Sequence, residues 1–204
     1  MVDFEMLTDI DESNLTETAQ SLDKEDLPKI VERLSEKNDK VRYKALLLLQ
    51  KRSACCDDVY PFWDVFRSKL KHENSYQRNI GVMLIAENAK WDTENRMDGT
   101  IDEYLTVLND EKPITVRQCI QALEKIVPYK NHLCPKIADS LMSINILAVK
   151  ETMRKLILFD MLNILVLIRK YQPADASDEY IINALSGEVL DKKVKKLVEQ
   201  RMRT

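Results

Sequence analysis

Glycine is almost missing. Gly81, Gly99 and Gly187 are the only three in 204 residues, too few for the many tight turns of a β-sandwich or barrel. Long hydrophobic runs are missing as well. The longest apolar stretch, 156–168, is broken by Asp160 and Asn163 and falls short of the roughly 20 residues that span a bilayer, so a buried helix is expected there and no membrane association. The opening Met1-Val2-Asp3-Phe4-Glu5 is acidic and does not read as a secretory signal, which predicts a cytoplasmic chain. Only His72 and His132 accompany Cys55, Cys56, Cys119 and Cys134. None of these is grouped at metal-ligand spacing and no C-x-x-C occurs. No metal, cofactor or disulfide is expected, since adjacent Cys55 and Cys56 close on each other only with strain and a reducing compartment keeps thiols free. No G-x-S-x-G, Walker loop, dinucleotide fingerprint or H-E-x-x-H is present, and the reading tilts from catalysis toward binding.

What the chain does have is helix-forming sequence. Hydrophobic residues make up 45% of it, enough for one sizeable core and a single domain. Apolar sets at i, i+3, i+4, i+7 recur as one-sided helices: Leu27, Ile30, Val31, Leu34; then Val59, Phe62, Trp63, Phe66, Leu70; then Ile101, Tyr104, Leu105, Leu108; then Leu133, Ile137, Leu141, Ile144. Between them lie segments that are apolar around more of their circumference, at 41–49, 80–86, 116–127 and 148–168, and these need cover on more than one side. Thr100 with Glu103 spells a capping box, Pro113 opens a helix, Pro128 follows one, and Gly187 marks a C-terminal cap.

Charge is unevenly placed. Residues 1–26 hold nine carboxylates against Lys24, a net of −8, while the whole chain is −3 and the rest therefore +5. Lys192, Lys193, Lys195, Lys196, Arg201 and Arg203 concentrate the positive excess at the C-terminal end. Residues 1–22 show only a weak helical stripe, Leu15, Ala19 and Leu22, and read as an acidic segment that is flexible or loosely capping.

A repeat runs through the remainder. Val41-Arg42, Gln77-Arg78, Val116-Arg117, Met153-Arg154 and Val194-Lys195 place a basic residue near the start of each second helix, at intervals of 36, 39, 37 and 41. That period is one helix pair per repeat. Asn38-Asp39-Lys40-Val41-Arg42 with Ala45, Leu48 and Leu49 resembles the inner-helix signature of HEAT repeats. The resemblance covers about 23–204. It departs from the pattern where Gln77 replaces an apolar residue and where Asp160 stands in the place of Leu48. It implies an all-α fold, a short right-handed α-α superhelix (solenoid) of about five HEAT-like helical hairpins with one concave wall.

Six residues are candidates for contact with a partner. Arg42, Arg78, Arg117 and Arg154, with Lys195 as a fifth member, fall on equivalent positions of successive repeats and suit an acidic peptide or phosphates along one edge; in HEAT proteins the resembling Arg serves the stack, pairing with an acidic residue next door. Asp160 and Asn163 lie three apart in the apolar run, where burial without partners costs several kcal/mol. They either line the concave wall or bond to a neighbouring repeat, with Arg117 or Arg154 as partners. Trp63 and Phe66 fit a core stripe, while Trp91 is a candidate surface anchor. The leading expectation is a non-catalytic scaffold that grips a protein partner. The alternative is a HEAT-like nucleic-acid-binding protein or DNA glycosylase, which the overall acidity disfavours. Self-association through the acidic start and basic end is a further expectation.

Overall fold

The computed structural model describes residues 11–203, and these contain eleven α-helices, short 3-10 turns and no strand. The chain divides into two compact units between Arg96 and Met97, where composition pointed to a single domain. Part of the acidic segment, 1–10, lies outside the described residues.

The first unit contains α1 (Leu15–Ser21), α2 (Leu27–Arg33), α3 (Asp39–Cys55), α4 (Trp63–Lys69) and α5 (Ser75–Asn88). Short helices precede long ones. The long α3 and α5 pack on each other, with α1 and α2 against α3 and α4 against α5. Asn38 and Asn74 cap α3 and α5 by accepting the main-chain N–H two residues on, so each long helix starts where a side chain can satisfy an otherwise orphaned donor. Leu15, Ala19 and Leu22 are buried, the first two in a cluster with Leu48. Leu15, Ala19 and Leu22 thus belong to the core, because α1 packs on α3 and buries Leu15 and Ala19 against Leu48. Trp63 and Phe66 are core residues, and Trp63 meets Tyr60 edge to face at 5.7 Å.

The second unit contains α6 (Ile101–Thr106), α7 (Pro113–Ile126), α8 (Cys134–Met142), α9 (Glu151–Arg169), α10 (Asp175–Ser186) and α11 (Lys192–Met202). Helix α9 is its centre, contacted by α7, α8, α10 and α11. Nine of its residues are buried, from Ile157 to Ile168, which is why this segment is apolar on most sides. Pro113 stands in the first turn of α7 and Gly187 is the C-cap of α10. Thr100 precedes α6, but its hydroxyl does not cap that helix. No described helix is long and apolar enough to cross a membrane.

Candidate functional site

Four of the five periodic basic residues share one structural duty. Arg42 donates to the Glu36 carbonyl at 2.8 Å, pairs with Asp39 and lies over the Tyr76 ring at 4.3 Å. Arg78 donates to the His72 and Glu73 carbonyls at 2.7 Å. Arg154 donates to Val149 and Leu147 carbonyls at 2.9 and 2.7 Å, and Lys195 to Gly187 at 2.7 Å. Each reaches back five to eight residues and satisfies carbonyls of the turn that leads into its own helix, groups that a helix end leaves unpaired. These carbonyl bonds each lie within the side chain's own hairpin, while Arg42 also reaches from α3 to the Tyr76 ring of α5 in the next.

Arg117 is the exception. It spans from α7 to α9, donating from Nε to Asp160 Oδ2 at 2.6 Å and from Nη2 to Oδ1 at 3.4 Å, while Gln121 Nε2 donates to the same Oδ1 at 3.1 Å. Asp160 is only 5% exposed, and these donors offset what its charge would otherwise cost in an apolar helix. Of the two partners expected for Asp160, the structure contains Arg117, bonded across from α7 to α9, while Arg154 donates to the Val149 and Leu147 carbonyls.

Three residues along α9, Asn163 presents its amide to the same region but Oδ1 is buried without a hydrogen-bond partner. Asp160 and Asn163 line a cleft of about 420 Å³ with Gln121 and Glu124 of α7, Ile164, Val166, Leu167 and Lys170 of α9, and Arg201 of α11. The lining combines apolar Ile164, Val166 and Leu167 with charges of both signs. A second hollow of about 300 Å³ continues from it, sharing Val166, Lys170 and Arg201. Arg201 also lies over the Phe159 ring at 5.8 Å. Of the six residues singled out in the sequence, Arg117, Asp160 and Asn163 come together here; Arg42, Arg78 and Arg154 do not.

No family model and no curated protein matches the chain. Among solved structures, an engineered protein resembles it with a TM-score of 0.57 at 15% identity, the match covering 100% of this chain and 96% of the other. That is a likeness of fold alone.

The remaining candidates are occupied locally. Trp91 is half-buried; its indole N–H donates to the Ser53 carbonyl at 2.8 Å and Lys90 lies over its ring at 4.9 Å, so it fastens α3 rather than serving as an exposed anchor. His72 accepts from the Asn74 N–H at 3.0 Å, and His132 pairs with Asp98 at 2.8 Å. Among the described residues no group of three or more His, Cys, Asp or Glu side chains is placed to hold a metal. Gln121, Glu124, Lys170 and Arg201 escape a sequence reading because each looks like part of a solvated helix face. The available signal is that Gln121 follows Arg117 by four residues and so shares its face.

The polar interior of the first unit explains a departure from the repeat pattern. Gln77 is buried; its Nε2 donates to the Leu34 carbonyl at 2.8 Å and its Oε1 accepts from Lys69 Nζ at 2.6 Å, with Ser35 Oγ a second acceptor at 3.1 Å. An apolar residue at position 77 would leave the end of α2 and the Lys69 ammonium without these bonds. Burial, with the nearby Arg42 charge, lowers the Lys69 pKa from its ordinary value.

Proposed function

We propose that this chain is a non-catalytic, HEAT-like helical-repeat scaffold of the cytoplasm, its hairpins stacked as a short right-handed superhelix, and that the cleft among α7, α9 and α11 receives a polypeptide segment. The observation that carries this reading is Asn163, whose buried amide oxygen has no partner beside an open cleft of about 420 Å³. An unpaired buried acceptor costs on the order of 1–3 kcal/mol, and a carboxamide offers both a donor and an acceptor, as a main-chain peptide group does. An extended segment laid over Ile164 and Leu167 pairs its backbone with that amide once the Asn163 side chain turns its oxygen toward the cleft, and buries one apolar side chain. Glu124 and Asp160 on the lining repel a polyphosphate, so Lys170 and Arg201 favour a segment with charges of both signs over nucleic acid.

The test is capture of polypeptides from native lysate by immobilised wild-type protein beside Asn163→Ala, with circular dichroism confirming that the variant is folded. The expected result is that Asn163→Ala retains at most about a tenth of the captured polypeptide, the equivalent of roughly 1.4 kcal/mol. Equal retention by both removes the cleft as the site. Salt-sensitive binding of duplex DNA with no polypeptide captured transfers the reading to nucleic acid.

A further inference from the structure

Helix α3 ends in two consecutive thiols, Cys55 exposed and Cys56 half-buried, with their sulfur atoms 3.3 Å apart. Cys55 Sγ also donates to the Arg52 carbonyl at 3.4 Å. The pair therefore lies at the carbonyl end of the helix. Burial and the contact with Cys55 raise the Cys56 thiol above its ordinary pKa.

Two ways of using such a pair are disfavoured. A disulfide needs sulfurs about 2.05 Å apart and α-carbons usually 4.4–6.8 Å apart, whereas consecutive α-carbons across a trans peptide are about 3.8 Å apart. The peptide between these residues is trans, and its N–H, that of Cys56, caps the helix by donating to the Arg52 carbonyl at 2.9 Å. Closing that ring distorts the cap. A divalent soft cation needs both thiols ionised and further ligands to complete its shell, and among the described residues no such set exists. A single trivalent atom that bridges two sulfurs too far apart to bond, and that removes their protons as water, meets neither obstacle.

We propose that Cys55–Cys56 is a bidentate binding site for trivalent arsenic oxides. For an organic arsenoxide the step forms two As–S bonds. The arsenic–oxygen bond breaks, and the oxygen leaves as one water carrying both thiol protons. Arsenic remains trivalent and nothing is oxidised or reduced. The site is independent of the α7–α9–α11 cleft. Its internal comparison is Cys119 and Cys134, both buried and both with thiols raised above their ordinary pKa by burial, with Cys119 Sγ donating to the Tyr104 carbonyl at 3.7 Å.

The test is titration of the reduced, folded full-length protein with phenylarsine oxide in excess glutathione, read by native mass spectrometry and tryptic mapping. The expected result is one arsenical per chain, attached with loss of one water and located in the peptide 53–67. Cys55→Ser and Cys56→Ser each weaken retention by about 10²–10⁴-fold, the loss expected when a two-point attachment becomes one-point. A small dithiol in excess strips the wild-type adduct. Retention unchanged in either single variant, an adduct in the peptides holding Cys119 or Cys134, or loss of the wild-type adduct to glutathione alone each overturns the proposal.

Discussion

Replacing Gly81 with alanine adds one methyl group where α5 passes closest to α4. A Cβ built there lies 2.7 Å from the Phe66 carbonyl oxygen, 3.2 Å from Lys69 Cβ and 3.3 Å from the Leu70 nitrogen. Two of these three atoms are backbone, so no rotamer change relieves the contact and the helices must separate. Overpacking of this kind costs on the order of 1–3 kcal/mol, and with backbone on the other side the upper end applies. Alanine returns about 1 kcal/mol of helix propensity. The net expectation is a loss of about 2 kcal/mol, or a urea midpoint lower by about 1 M for a small domain. Both tryptophans, Trp63 and Trp91, lie in the first unit, so their fluorescence reports the affected part directly. Gly187→Ala is the control: its nearest atoms are 3.5 and 3.6 Å away, its φ is −71°, and its unfolding followed by circular dichroism should move by no more than about 0.5–1 kcal/mol, in the stabilising direction. Unfolding of Gly81→Ala at the same or a higher urea concentration than wild type refutes the close-packing argument.

The other expectations concern the polar interior. Because the folded-state pKa of Lys69 lies below its ordinary value near 10.5, burial penalises the ammonium at neutral pH; wild type should gain stability relative to Lys69→Met as pH rises through the depressed pKa toward 10.5, and parallel urea midpoints across that range contradict this. Tyr60 donates to Asp92 at 2.7 Å, and burial first, then that bond, pushes its pKa up to about 12. Its stabilising effect is present below the ordinary pKa of 10 and fades as pH rises through about 12, so the deficit of Tyr60→Phe, about 1–2 kcal/mol at pH 7, should shrink over that interval. Arg117→Ala leaves Asp160 with Gln121 as its remaining donor and should cost about 2–3 kcal/mol, whereas Arg154→Ala returns exposed carbonyls to water and should cost about 0.5–1 kcal/mol; thermal unfolding by circular dichroism that ranks them the other way sinks the distinction.

Much of the fold was legible because long helices buried on several sides write their periodicity into the sequence. The expected segments 41–49, 80–86, 116–127 and 148–168 correspond to α3, α5, α7 and α9. The role of 15–22 was not legible, because what holds α1 is distant in sequence: Arg52 Nη1 donates to the Ala19 and Gln20 carbonyls at 3.1 and 2.8 Å, while Asp58 fixes the same guanidinium at 2.6 Å. A weak local stripe says nothing of a cap supplied from another helix. At the cleft, Asp160 and Asn163 stood out because polar groups in an apolar run need an explanation. The ion pair of Arg117 with Asp160 of α9 was not singled out, because Arg42, Arg78 and Arg154 look the same in one dimension.

That ion pair bears on how such a chain can change over evolutionary time. A basic residue that closes its own entry turn carries that polar complement with it when its hairpin is duplicated, deleted or grafted. The hairpin of α7 has given its arginine to α9, so deleting either one leaves an ion orphaned in the other. Insertions and losses are therefore expected away from this pair, while α7 and α9 are inherited together, with the cleft they build between them.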